Sequence, residues 1–184
     1  MNILFVADVS INKIIGGAER VLYEQTTRLA QRGHNIFIIT RKLPNHVKDN
    51  EIINKVIEWR HSFSKKNSFT FISSTLINSK RLFESLHQNL QFDCINFHQP
   101  FSAMGVINSH LSTKIPKIYT CHSLSFEEFL SRNGNNYNFF SKLTNYIKSE
   151  GYKKIEKNIL DKSNEIIVLS KFTKEKIKNI YNIN

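Results

Sequence analysis

Gly16-Gly17-Ala18-Glu19-Arg20 is the stretch on which the reading of this chain turns. It follows the apolar run Ile3-Leu4-Phe5-Val6-Ala7 and a loop from Asp8 to Ile15. It then opens a helical pattern with Ala18, Val21, Leu22 and Leu29 on one face. The order is strand, glycine loop, helix. Two glycines let the backbone approach a ligand with no Cβ in the way. The first helical turn adds unpaired N–H groups and the positive end of the helix dipole, so the junction suits an anion. A tight strand-to-helix turn with no ligand fits the same two glycines, and the flanking sequence has to decide.

Outward from that junction, Asn2 to Ala7 reads as the first strand. The helix runs from about Ala18 to Arg32, and Gly33 stands where a helix C-terminus favours glycine. Ile36-Phe37-Ile38-Ile39-Thr40 is apolar on both faces, as in a strand buried inside a parallel sheet. Pro44 to Asn54 is polar and reads as a loop, and Lys55 to Trp59 as a third strand. Helical spacing runs from Phe69 to Leu90. Cys94 to His98 is a strand, Ala103 to Leu111 a short helix and Lys117 to His122 another strand. Ser123 to Asn138 is polar and reads as a loop. A long helical region follows, with Phe140, Leu143, Ile147, Ile155 and Ile159 near one face and Gly151 as a weak point. Glu165 to Leu169 is the last strand, and Ser170 is placed to cap a helix from Lys171 to Tyr181.

Strands alternate with helices throughout, so the fold class is α/β: a Rossmann-like, doubly wound parallel sheet. Ligands of such sheets sit beyond the carboxyl ends of the strands. Gly16, Gly17, His98 and His122 all fall at that edge and are predicted to line one cleft. The six glycines form neither G-x-G-x-x-G nor G-x-x-x-x-G-K-[ST], and no G-x-S-x-G occurs. A dinucleotide fingerprint, a P-loop and a hydrolase elbow are therefore excluded. A metal site from Cys94, His98, Cys121 and His122 is disfavoured by strand geometry, since Cys94 lies a strand's depth below His98 and Cys121 points opposite to His122. No metal is expected.

With 26 Lys and Arg against 15 Asp and Glu, the 184-residue chain carries a formal charge of +11. That selects anionic partners, although a lysine-rich solvated face accounts for part of the excess. Nucleic acid is not expected, for there is no RNP-like aromatic motif, zinc spacing or basic region with heptads. The two cysteines lie in strand-like runs and read as reduced core residues of a cytoplasmic protein. The N-terminus has no basic lead-in, its apolar run stops at Asp8, and no run is long enough to span a bilayer.

The same stretches resemble a family. Gly16 to Arg20, Leu29-Ala30-Gln31-Arg32-Gly33-His34 and Ile36 to Thr40 look like the opening of the family 4 glycosyltransferases, which have the GT-B fold. Asp93 to Pro100 resembles that family's fourth-strand segment ending in histidine. Ile118 to Ser123 resembles its next strand, ending in Thr-x-His. Ile155-Glu156 through Asp161, Glu165 to Leu169 and Ser170 resemble its last N-domain helix, strand and serine. About Pro44 to Ser68 and Ser125 to Tyr137 lie outside the likeness.

The resemblance implies a retaining transferase that moves a sugar from a nucleotide-sugar donor to an acceptor. No metal or other cofactor is implied, the nucleotide-sugar being a co-substrate. It implies two Rossmann-like domains, the N-terminal one on the acceptor side and the C-terminal one holding the nucleotide. Carried over, Gly16 and Gly17 approach the donor phosphate and sugar, and His122 meets the sugar near the reaction centre. His98 and Ser123 belong to the acceptor-side cleft, with a strand-end histidine bonded to backbone as the plainer reading of His98. Glu19 favours the helix N-terminus electrostatically rather than acting as a base. The family's Arg/Lys pair and E-x-x-x-x-x-x-x-E segment belong to the second domain. Residues 1–184 are thus expected to be the N-terminal half of such an enzyme, inactive without its C-terminal partner.

A different class stays open: a non-catalytic basic module for an anionic membrane surface or a phosphorylated ligand. Trp59, Phe63, Phe69 and Phe71 alternate with Arg60, Lys65 and Lys66, a mixture suited to a lipid headgroup boundary. Trp59, Phe63, Lys65 and Lys66 are the candidate membrane contacts, helped by Lys148, Lys153, Lys154 and Lys157 on one helix. Packing of these aromatics under a long loop is the competing reading. Peripheral attachment to the inner face of a membrane would agree with a lipid-linked acceptor.

Overall fold

A computed structural model of the chain describes residues 1–44, 46–133 and 139–183. Among these residues the strands are β1 (Asn2–Val6), β2 (Asn35–Arg41), β3 (Asn50–Ile53), β4 (Val56–His61), β5 (Cys94–Phe97), β6 (Lys117–Cys121) and β7 (Glu165–Val168). The helices are α1 (Gly17–Gln31), α2 (Ser68–Leu90), α3 (Pro100–Ile107), α4 (Ser125–Asn133), α5 (Phe139–Lys162) and α6 (Lys171–Tyr181), with a 3₁₀ turn at His110–Ser112.

The strands form one seven-stranded sheet in the order β3-β4-β2-β1-β5-β6-β7. Every pairing is parallel except β3 with β4. β1 lies between β2 and β5 because it is apolar on both faces. Leu4 and Val6 enter one core with Phe83, Val106, Ile159 and Ile177, from α2, α3, α5 and α6. Phe5 and Ala7 enter a second core with Leu22 of α1. Helices thus cover both faces of a mostly parallel sheet, which is the doubly wound, Rossmann-like architecture.

The alternation fixes which way the strand ends point. Ile95 and Phe97 of β5, and Tyr119 and Cys121 of β6, belong to the first core. Asn96, His98, Thr120 and His122 therefore lie on the α1 side of the sheet. Thr120 donates its hydroxyl to Asn96 Oδ1 at 2.9 Å, a polar rung one residue pair below the two histidines.

Several expectations need correction. The stretch from Pro44 to Asn54 is not all loop, since β3 occupies Asn50–Ile53 and pairs antiparallel with β4. The two residues between them, Asn54 and Lys55, both have positive φ (48° and 69°), which closes a two-residue hairpin. The third strand of the sequence reading starts at Val56 and extends to His61. The stretch from Ser123 to Asn138 contains α4, and its residues 134–138 lie outside the described residues. The short helix starts three residues earlier than expected, at Pro100, a residue suited to the first helical turn. Gly151 does not interrupt α5.

Gly105 of α3 permits the close crossing of α2 and α3. A Cβ there would overlap Ser79 Oγ and the carbonyl of Leu76 on α2. No described helix is long and apolar enough to cross a membrane.

Candidate functional site

The glycine junction is built as a bare helix end. Gly16 is the N-cap of α1 in extended backbone (φ −139°, ψ −170°), which any residue adopts. No side chain caps the helix; instead the Gly16 amide donates to the Glu19 carboxylate at 3.1 Å. Glu19 is thereby turned back on the helix start, in the electrostatic role expected of it. Both glycines are exposed, and a Cβ on Gly17 would meet nothing within 4 Å. Glycine at 17 is thus required neither by backbone conformation nor by internal packing, and what it provides is uncovered backbone.

The loop leading to this end is anchored by a buried carboxylate. Glu58 of β4 accepts the Ser10 hydroxyl at 2.7 and 2.9 Å and the Ile11 amide at 2.9 Å. Arg60, two residues on and so on the same strand face, donates Nε to Glu58 at 2.7 Å and Nη2 to Glu51 of β3 at 2.7 Å. Glu58 and the Arg60 side chain are 0% and 1% exposed, so this is an internal ion pair with its remaining valences filled.

His98 and His122 leave adjacent parallel strands on the same face and meet. His98 Nδ1 lies 2.9 Å from His122 Nε2, and His98 Nε2 lies 3.1 Å from Gln25 Oε1 of α1. The His98 ring also packs on Phe5, with centroids 5.5 Å apart. His98 is 2% exposed, and burial together with the neighbouring His122 pushes its pKa down to about 3. His122 is half-buried. Burial lowers its pKa, against the opposing pull of Glu128 and Glu19. Both rings are therefore neutral near pH 7, and His122 Nδ1 is covered and has no hydrogen-bond partner.

On the other face, at the same edge, lies a cleft of about 400 Å³. Phe71, Phe101, Phe129 and Tyr152 contribute its aromatic walls, and Asp8, Arg41, Glu128 and Arg132 its charges. Phe101 and Phe129 both meet the Tyr152 ring edge-on, with centroids 5.0 Å apart. Asp8 accepts from the Ser102 hydroxyl and amide at 2.6 and 3.0 Å and from the Phe101 amide at 3.3 Å, so the loop after β1 caps α3. Arg41 Nε donates to the Asp8 carbonyl at 3.1 Å, and its guanidinium stacks over the Phe63 and Phe71 rings.

The structure brings His98, His122 and α1 together through Gln25. Neither glycine and neither histidine lines the 400 Å³ cleft. The even-numbered positions of β5 and β6 point to the α1 side, and the cleft opens on the opposite side. His98 is too buried to border a cleft and instead supports His122. Ser123 is exposed, and its hydroxyl is held by Glu128, which itself reaches the cleft.

The aromatic patch is also redistributed. Trp59 packs against the first core, and Phe63 is half-buried edge-on to Phe71. Phe69 is 80% exposed, and Lys65 and Lys66 are exposed beside it. On α5, Lys153 is paired with Glu150 and Lys157 with Asp161; Lys154 and Lys157 are exposed and Lys148 is half-buried.

Sequence reasoning missed Gln25, Asp8, Glu58, Arg41 and Arg132. For Glu58 a signal existed: an acid and a base two apart in Val56-Ile57-Glu58-Trp59-Arg60 share one strand face and so invite a paired burial. For Gln25 none existed, because its partner is 73 residues away.

The family model described as Glycosyltransferase Family 4 matches residues 15–184. The sucrose-phosphate synthase of Thermosynechococcus elongatus is similar in structure, with a TM-score of 0.77 at 16% identity over 97% of this chain and 44% of that one. A second structure bearing that enzyme's name, from the same organism, has a TM-score of 0.61 at 14% identity over 97% of this chain and 80% of that one. At such identity the likeness is one of fold. Among curated proteins none matches the sequence. The chain spans less than half the length of the first of these structures.

Proposed function

Because the chain belongs to Glycosyltransferase Family 4, we propose that it is the N-terminal, acceptor-side domain of a retaining transferase. The complete enzyme moves a sugar from a nucleotide-sugar donor to a glycan or lipid-linked acceptor. A C-terminal domain holds the nucleotide, and residues 1–184 do not turn over alone.

The observation that carries this reading is the division of the sheet's carboxyl edge. On one face α1, whose first turn has no side-chain cap, meets the His98–His122 pair through Gln25. On the other an aromatic-walled cleft lies beside Ser123 and Glu128. Donor chemistry suits the first face. The backbone N–H groups at Gly17 and Ala18 and the helix dipole oppose the charge growing on the departing diphosphate, without a metal. His122, neutral and half-buried, contacts the sugar there by hydrogen bonding rather than by charge. Acceptor chemistry suits the second face, where rings stack on sugar planes and the arginines and carboxylates orient hydroxyls or a phosphate.

The test is His122→Ala in a transferase containing this chain. Transfer is expected to fall by about 10²–10³-fold with the domain still folded, as for loss of one polar contact to a reacting centre. Near-normal turnover with the correct donor and acceptor would overturn the assignment.

A second reading, compatible with the first, is peripheral binding to an anionic membrane on the cytoplasmic side. What favours it is the exposed Phe69 beside the exposed Lys65 and Lys66.

A further inference from the structure

The three-residue chain Gln25, His98, His122 has a direction. Gln25 Oε1 is an acceptor, so at 3.1 Å it requires the proton of His98 on Nε2. A neutral imidazole carries one proton, and His98 is neutral because it is buried. Its Nδ1 is then a lone pair, which at 2.9 Å requires the proton of His122 on Nε2. His122 Nδ1, covered and without a partner, is left as a lone pair in turn. The reversed orientation of the Gln25 amide would place an unpartnered N–H at that atom. A covered N–H without a partner is rarer than a covered acceptor without one.

We propose that Gln25 and His98 are positioning residues that set the tautomer of His122, leaving its Nδ1 a hydrogen-bond acceptor that a hydroxyl of the transferred sugar reaches once the side chains covering that atom move aside. The sugar contact rests on the reading of His122 given above; the tautomer does not. Any group that completes Nδ1 must approach as a donor, which selects a free hydroxyl and rejects a phosphate oxygen or an ether at that position. Because Gln25 belongs to α1, the helix that presents the glycine loop also sets the polarity of the histidine facing it.

The test is a two-bond ¹H–¹⁵N correlation spectrum of the histidine rings of this chain at pH 7. His98 and His122 are assigned through His98→Asn and His122→Asn. Both rings are expected as Nε2–H tautomers. Gln25→Glu keeps an acceptor at the same place and is expected to keep both tautomers. Gln25→Lys offers only N–H donors and is expected to invert both, moving the His122 proton to Nδ1. The tautomer ratio at His122 should change by about tenfold, the worth of one hydrogen bond. Inversion at a ring that residue 25 does not touch is not produced by loosened packing. His122 found as Nδ1–H in the unsubstituted chain overturns the proposal, as does His122 remaining Nε2–H in a folded Gln25→Lys chain. If Gln25→Lys does not fold, Gln25→Ala serves: a mixed tautomer at His122 supports the relay and an unchanged one overturns it. If the tautomers are as assigned but His122→Ala leaves transfer intact, the failure belongs to the sugar contact and not to the relay.

Discussion

Glu58 grips Ser10 with both carboxylate oxygens, so a charge near the sheet edge holds the loop that delivers the glycines. The same carboxylate neutralises Arg60, whose side chain is 1% exposed. Glu58→Ala would leave that guanidinium buried with only Glu51 and the Lys48 carbonyl as partners and is expected to cost about 3–5 kcal/mol. Glu58→Gln, which can still accept from Ser10, is expected to cost less. Urea denaturation of the two variants checks the order; an Ala variant as stable as the parent would contradict it.

Gly17→Ala separates folding from function. Open space surrounds the missing Cβ, and α1 is already helical there, so the substitution is expected to leave stability unchanged or raise it by up to about 1 kcal/mol. In a complete transferase, Gly17→Val is expected to lower transfer by blocking backbone approach to the donor. A melting curve and a turnover measurement decide the point. Unimpaired transfer in Gly17→Val would remove the donor-side role of this glycine.

Gly105→Ala behaves oppositely. Its methyl would press on Ser79 and on the Leu76 carbonyl, which is backbone and cannot rotate away. A loss of about 1–3 kcal/mol or more is expected. A Gly105→Ala chain with an unshifted denaturation midpoint would refute the tight crossing of α2 and α3.

Acid should weaken the fold through His98. Its folded pKa, about 3, lies below the free value of 6.5, so the native state excludes a proton that the unfolded chain takes up. The contribution to stability is complete above pH 6.5 and is lost as pH falls from 6.5 toward 3. At about 1.4 kcal/mol per unit the full loss is roughly 4–5 kcal/mol. His98→Asn is expected to flatten this limb of a stability–pH curve. Parallel curves for the two chains would show that another group titrates there.

Membrane attachment is expected to be reversible and sensitive to salt. Lys65 and Lys66 each contribute about 1 kcal/mol near an anionic surface, with Phe69 entering the headgroup boundary. The chain should sediment with anionic liposomes at low salt, leave them at high salt and ignore neutral ones. Lys65→Glu with Lys66→Glu should weaken the binding. A chain that stays in the supernatant with anionic vesicles at low salt ends the membrane reading.

The sheet was legible because β1, β2, β5 and β6 are apolar runs between helical patterns, and strand ends of such runs announce an edge. β3 was not, because Asn50 and Glu51 are polar and the hairpin turn is Asn54-Lys55 rather than a glycine turn. Lysine at a positive φ leaves no trace in a sequence. α4 was hidden by its brevity and by Glu127 and Glu128, although acids in a first turn favour a helix N-terminus. Around the site, His98 and His122 could be placed at one edge from their spacing alone. That His98 is a buried support depends on Phe5 and Gln25, which only the folded chain brings near.

The central place of β1 has a consequence for how the chain is made. Leu4 pairs with Phe37 on one side but with Ile95 on the other. At about 5–20 residues per second, a ribosome supplies that second partner on the order of ten seconds after the first strand is synthesised. During that interval the core that Leu4 and Val6 enter is incomplete, since of its helices only α2 precedes β5 while α3, α5 and α6 come later. A nascent chain stalled before β5 would therefore present an apolar parallel pair open along one edge, the kind of surface that chaperones bind and that aggregates when left alone.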